Sequence, residues 1–167
     1  MVNSLSLLAR TMIKLLVSVV LLLFTGDVCA ADPLFDIKVD YHAGNMPHSV
    51  FSIDFDADGD MDLATANEAS GDVSVLLNKG DGTFQAAVNY VTGAAASSVF
   101  SVDLDGDGDN DIVSADNGPD NLSVLKNNGD GTFAAAVSTY IGDIPWAVSA
   151  ADLDGDNDAD VVVTKSG

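Results

Sequence analysis

Beyond its first thirty residues the chain alternates short apolar runs with stretches of glycine, asparagine and aspartate. Val50 to Asp54 is a brief apolar run, Asp62 to Ala66 a second, and Val73 to Leu77 a third rich in Val and Leu. A Gly-Asp-Gly turn at 80–82 leads into a fourth, Phe84 to Tyr90, in which apolar and polar residues mix. Each run is too short for a helix and is bounded by turn-forming residues, so each predicts a β-strand. No stretch of this region holds a sustained helical period.

The pattern repeats. Ser49-Val50-Phe51-Ser52-Ile53-Asp54 returns as Ser98-Val99-Phe100-Ser101-Val102-Asp103, and more loosely as Ala147-Val148-Ser149-Ala150-Ala151-Asp152. Gly80-Asp81-Gly82-Thr83-Phe84 returns as Gly129-Asp130-Gly131-Thr132-Phe133. Every step is 49 residues without insertion. Four short strands per unit, at a period in the 40–50 range, is the pattern of a β-propeller blade. The expected fold class is therefore all-β, with blades of four antiparallel strands. Phe35 to Tyr41 aligns with Phe84 to Tyr90, so residues 33–48 read as an orphan fourth strand and linker. Repeat 1 is then 49–97, repeat 2 is 98–146, and 147–167 is a partial third. About two and a half blades cannot close a ring. The expectation is a fragment of a longer protein, a chain that self-associates, or an open array.

The first thirty residues obey a different rule. Arg10 and Lys14 precede the apolar run Leu15 to Phe24, and Val28-Cys29-Ala30 offers small residues for cleavage. That order predicts a secretory signal peptide over 1–30 and a secreted or cell-surface protein. The apolar core is well short of the ~20 residues that span a bilayer. Without this segment the chain keeps four lysines, no arginine and no cysteine, against twenty-four aspartates and one glutamate, a formal charge of −21. Such a surface excludes nucleic acid and anionic membranes as partners. A secreted chain without disulfides needs another source of stability, and bound metal supplies one.

The aspartates are not scattered. Between the first two strands of each unit lie Asp54-Phe-Asp56-Ala-Asp58-Gly-Asp60-Met-Asp62, then Asp103-Leu-Asp105-Gly-Asp107-Gly-Asp109-Asn-Asp111, then Asp152-Leu-Asp154-Gly-Asp156-Asn-Asp158-Ala-Asp160. Aspartate holds positions 1, 3, 5, 7 and 9 of all three loops. Alternation within a tight loop lets carboxylates converge on one point, and Ca²⁺ accepts 6–8 oxygens at about 2.3–2.6 Å. Positions 1, 3, 5 and 9 are expected to ligate through side chains. Position 7 is expected to give its backbone carbonyl, leaving the Asp60, Asp109 and Asp158 carboxylates as outer charges. Gly59, Gly108 and Asn157 at position 6 are residue types that accept left-handed backbone angles. Zinc lacks Cys or His partners here, and magnesium prefers rigid octahedral sites. An EF-hand would need a Glu at position 12, where this chain has Thr65, Ser114 and Val163.

The run from Ser98 through Asp103 to Ile112, followed by Leu122-Ser-Val-Leu125 and Gly129 to Phe133, resembles the FG-GAP-like (VCBS) repeat, the blade of integrin-α-type propellers. The resemblance spans about residues 33–167. It implies one Ca²⁺ in the first inter-strand hairpin of each blade, held by positions 1, 3, 5, 7 and 9. It says less about function, since such repeats occur in adhesion proteins, in surface proteins of unknown role and in modules attached to polysaccharide-degrading enzymes.

In a four-stranded blade the 1–2 and 3–4 loops share one end, and the 2–3 and 4–1 loops share the other. The second end differs most between copies, which makes it the expected recognition face. His48, Ser97 and Trp146 are equivalent positions there with three different residues, so His48 and Trp146 are candidate ligand-binding residues. No catalytic constellation stands out. His42 and His48 are the only histidines, and the aspartates already belong to loops. The sequence thus predicts a non-catalytic extracellular module for binding or adhesion to a protein or carbohydrate. The alternatives are an accessory part of a secreted polysaccharide-acting enzyme and a structural surface spacer.

Overall fold

The computed structural model describes residues 39–166. The expected signal peptide over 1–30, and residues 31–38 with most of the expected orphan strand, lie outside the described residues. Two four-stranded antiparallel meanders and one two-stranded hairpin make up the described fold. Blade 1 contains β1 (Pro47–Ile53), β2 (Asp62–Asn67), β3 (Asp72–Leu76) and β4 (Val88–Val91). Blade 2 contains β5 (Ala96–Val102), β6 (Asp111–Asp116), β7 (Asn121–Leu125) and β8 (Val137–Tyr140). A half-blade of β9 (Pro145–Ala151) and β10 (Asp160–Lys165) follows. The chain is all-β, a partial propeller, with no helix among the described residues.

The fourth strand departs from expectation. Phe84 to Tyr90 is not one strand: Phe84 makes an isolated bridge to Asn78, and the strand begins only at Val88. Blade 2 does the same, with Asn127 bridging Phe133 before β8 starts at Val137. The intervening Gln85-Ala86-Ala87 and Ala134-Ala135-Ala136 are poor strand formers with little side chain to pack across a sheet. Instead the Phe rings anchor this segment. Phe133 meets Tyr90 edge-on at 5.5 Å, and Phe84 meets Tyr41 edge-on at 5.2 Å. Tyr41 thus takes the place, one period earlier, that Tyr90 takes.

Alternation along each strand gives every blade two usable faces. Ala64, Ala66, Val73 and Val75 of blade 1 pack against Ala96, Val99, Ile112 and Leu125 of blade 2. Val113 and Ala115, on the other face of blade 2, pack against Val148 of the half-blade. The core therefore lies between sheets. Serine hydroxyls reinforce each joint at equivalent points: Val99 N–H donates to Ser49 Oγ at 3.5 Å, and Val148 N–H to Ser98 Oγ at 3.3 Å.

The connection into each inner strand passes through a left-handed residue. Met46, Ala95 and Ile144, spaced by one period, have φ of 54°, 54° and 41°. None is a glycine, and a β-branched Ile there is a true outlier. Their carbonyls accept the N–H groups of Glu68, Asn117 and Ser166 at 2.9, 3.0 and 3.2 Å, which fastens each connection to the β2–β3-type turn beside it.

One buried carboxylate interrupts the core between blades 1 and 2. In blade 1 Asn67 and Asp72 face each other across β2 and β3, whereas blade 2 reverses them as Asp116 and Asn121. Asp116 is fully buried and accepts hydrogen bonds from Ser114 Oγ at 2.8 Å, Thr92 Oγ1 at 3.1 Å and the Ser123 hydroxyl. Burial pushes its carboxyl above the ordinary 3.8, and the three hydroxyls offset part of that rise. A carboxyl raised in the folded state leaves stability intact below the unfolded value and lowers it as pH climbs to the folded value. Asp116→Asn should therefore be more stable than the parent at neutral pH. The gap should vanish in strong acid. Urea unfolding of both chains across the acid range checks this, and a gap independent of pH would refute it.

Candidate metal centres

Each aspartate loop closes on itself through a ladder of side-chain-to-backbone bonds. At position 1, Asp54 Oδ2 accepts the Gly59 N–H at 2.9 Å, Asp103 Oδ2 the Gly108 N–H at 3.0 Å, and Asp152 Oδ2 the Asn157 N–H at 3.1 Å. At position 5, Asp58, Asp107 and Asp156 each take the N–H two residues on, at 2.9 Å. These turns aim carboxylates inward and require left-handed backbone at two places. Position 6 has φ of 96°, 95° and 74° at Gly59, Gly108 and Asn157. Position 4 is left-handed as well, at Ala57, Gly106 and Gly155, which the sequence reading did not foresee.

Three carboxylates converge in each loop, with one oxygen apiece lying within 4.8 Å of the others. The groups are Asp54, Asp56 and Asp58; Asp103, Asp105 and Asp111; and Asp152, Asp154 and Asp160. Asp62, Asp107 and Asp156 fall outside these groups. So do the position-7 residues. The Asp60 and Asp109 carboxylates lie over Gly80 and Gly129 of the neighbouring 3–4 turns, so close that a Cβ there would sit 3.0 and 2.8 Å from an oxygen. Asp158 is exposed.

Position 9 has a second task. Asp62 is buried, and its two oxygens accept the Phe55 N–H at 2.8 Å and the Asn78 N–H at 2.7 Å. Asp111 does likewise with Leu104 and Asn127, at 3.3 and 2.9 Å. One carboxylate thus ties the 1–2 loop to the 3–4 loop. Desolvation pushes the Asp62 and Asp111 carboxyls up, and these N–H donors pull them back.

The loops differ in their surroundings. Asn127 of blade 2 donates through Nδ2 to the Phe55 carbonyl at 2.8 Å, and Asn110 reaches the Asp54 carbonyl at 3.4 Å. The Phe55 ring meets Phe133 edge-on at 5.3 Å. Blade 2 thereby covers the loop of blade 1. Beneath that cover Asp54 Oδ1 is buried and has no hydrogen-bond partner among the described residues. In loops 2 and 3 the corresponding oxygen takes the N–H of Gly106 or Gly155, at 2.8 and 2.7 Å. Loop 2 has an internal cation instead: the Lys126 ammonium pairs with Asp105 and holds its carboxyl below the usual range. The equivalent residue in blade 1 is Leu77. Asn110, Asn127 and Lys126 were not singled out from sequence. An Asn before each Gly-Asp-Gly-Thr-Phe was the available signal.

The other candidates sit at the opposite end. The His48 ring nitrogen Nδ1 lies 3.2 Å from the Ser97 carbonyl, and Ser97 Oγ donates to the Trp146 carbonyl at 3.2 Å. This position bridges neighbouring blades. Trp146 is 45% exposed, and its indole N–H reaches Ser166 Oγ at 3.1 Å.

A family model for the FG-GAP-like repeat matches residues 54–114 and again 103–163. Both matches open on a position-1 aspartate, and together they take in all three loops. No curated protein and no solved structure matches the chain.

The geometry separates two kinds of aspartate. Asp62→Ala or Asp111→Ala leaves two backbone N–H groups without their carboxylate and should destabilise by about 2 kcal/mol or more. Asp60→Ala, whose carboxylate lies outside the cluster, should shift stability by well under 1 kcal/mol. Chemical denaturation in calcium-free buffer ranks the three, and equal losses would contradict the distinction.

Proposed function

The chain belongs to the FG-GAP-like repeat family, and from that premise we propose that it is an exported, non-catalytic, calcium-stabilised module for extracellular binding or adhesion. The observation that carries the metal reading is Asp54 Oδ1, a carboxylate oxygen buried without a hydrogen-bond donor among the described residues and beside two further carboxylates. An anionic oxygen in that setting is costly unless a cation meets it. Oxygens around one Ca²⁺ are at most ~5 Å apart, which suits clusters whose oxygens all lie within 4.8 Å of one another. All donors are hard oxygens, the set that Ca²⁺ prefers. Asp54, Asp56 and Asp58 would hold one ion, Asp103, Asp105 and Asp111 a second, and Asp152, Asp154 and Asp160 a third. Neutralising the clusters removes like-charge repulsion and makes ion binding a folding term.

Export is supported by the basic, apolar and small-residue order of residues 1–30. The binding role is supported by a division of labour within the blade. The loops with fixed sequence are occupied with metal-ligand and inter-blade geometry. The variable loops at the other end leave Trp146 and Ile144 45% and 43% exposed. A half-exposed Trp offers a flat apolar surface with a polar edge, suited to a protein or carbohydrate partner.

Calcium should raise the melting temperature, EGTA should lower it again, and Asp54→Asn should reduce the ion stoichiometry measured by calorimetry by one. A melting temperature indifferent to calcium would overturn the metal reading. The recognition reading is tested separately, with glycan and extracellular-protein arrays probed by the calcium-loaded chain. Trp146→Ala should abolish the signal and leave the calcium stoichiometry unchanged, and binding that survives it would move recognition elsewhere.

A further inference from the structure

One repeat position is buried in two copies and exposed in the third. Val99 is 4% exposed and Val148 is 7%, because the preceding blade covers each of them; their equivalent in blade 1, Val50, is 63% exposed. Thr65 pairs with Val50 across β1 and β2 and shares its face. Its counterpart in blade 2, Ser114, is completely buried. Over Val50 and Thr65 lies a shallow hollow of about 170 Å³, lined also by Pro47, His48 and Ser49. It is below the ~300 Å³ at which small-molecule sites begin, but large enough for packed side chains. Over Val50 this face stays open, whereas farther along it the Gly44 N–H donates to the buried Ser74 Oγ at 2.9 Å.

The opposite end of the array carries the complementary surface. On β9 and β10, Ser149 pairs with Val162 and Ala147 with Thr164. These pairs stand where blade 2 has Phe100 with Val113 and Ser98 with Ala115. Val113 and Ala115 are fully buried against the next blade, whereas Val162 is 46% exposed. None of Val50, Thr65, Val162 and Thr164 is charged, so these four positions set no like charges against one another. Among the described residues, the joint seen twice inside the molecule has one unmatched half on blade 1 and the complementary half on β9–β10.

We propose that the open face of blade 1 docks a second copy of this chain, which presents the outward face of its β9–β10 hairpin, so that copies associate head to tail. The contact repeats the internal relation of one blade to the next and is heterologous, so it extends rather than closes after two copies. One rung of the internal pattern is missing. The N–H of Val99 meets Ser49 Oγ and that of Val148 meets Ser98 Oγ, but the N–H of Val50 would meet Ala147 of the second copy, which has no hydroxyl.

Sedimentation velocity of the full chain over a range of concentrations tests the proposal. The parent should grow with concentration, more readily in higher salt, where the long-range repulsion of acidic copies is screened. Val50→Asp alone and Val162→Asp alone should each stay monomeric. An equimolar mixture of the two should form dimers and nothing larger, because each variant retains the half that the other lacks. This pairing also shows that both variants are folded. Ala147→Ser supplies the missing rung and should lower the concentration of onset about threefold or more. A parent that stays monomeric, association that survives either Asp substitution, or a mixture that fails to pair overturns the proposal. Association through the apolar segment Leu15 to Phe24 would survive both substitutions and so counts against it. An unchanged onset for Ala147→Ser overturns the register.

Discussion

A blade of this chain has two faces that need cover, and it cannot cover either by itself. That constraint organises the rest of the molecule. Ala64, Val75 and Val113 point to one side of their sheets and Val99, Ile112 and Val148 to the other, so the core exists only where two sheets meet. The hydroxyls of Ser49 and Ser98 and the side chains of His48 and Ser97 all reach across such a joint. Aspartate loops and variable loops are carried at the two ends of the strands, where they neither interrupt the joint nor compete for its apolar surface.

The loops at one end turn concentrated negative charge into a structural part. A run of five alternating carboxylates would repel itself open if all five were equivalent. They are not equivalent. In loops 1 and 2 position 9 takes two backbone donors and position 7 lies over a glycine of the 3–4 turn, while the carboxylates that converge are positions 1, 3 and 5 in loop 1 and positions 1, 3 and 9 in loops 2 and 3. Where blade 2 closes over loop 1, the Phe55 carbonyl receives Asn127 and the Phe55 ring receives Phe133, and the Oδ1 oxygen of Asp54 is buried. Inter-blade packing and the local electrostatics of the loop are thus one problem solved together.

Much of this was legible in the sequence because the period is strict and the strands alternate. The three inner strands, the three loops and the positive φ at position 6 follow from residue type and spacing alone. Other features were hidden for physical reasons. The break before Val88 depends on where the Phe84 ring finds an aromatic neighbour, which propensity does not encode. Met46, Ala95 and Ile144 share a left-handed conformation without sharing any turn-forming character; the neighbouring N–H groups of Glu68, Asn117 and Ser166 impose it. The double duty of Asp62 and Asp111 was masked by the regularity of the loop, since five aspartates in register look alike until their donors are known. The exchange of Asn67–Asp72 for Asp116–Asn121 is visible as letters, but only burial gives it a consequence.

The hydroxyl rungs each join one blade to the next, from Ser49 to Val99 and from Ser98 to Val148. Contacts between sheets are accordingly nearest-neighbour, and the array behaves as a one-dimensional stack rather than as a single cooperative globule. Local opening then has a direction. The β9–β10 hairpin rests on one neighbour and has no third strand beside β10 among the described residues, so it can detach while the joint between blades 1 and 2 stays shut. Amide protection in such a stack would run as a gradient along the chain, highest in β2, β3 and β6 and lowest in β10.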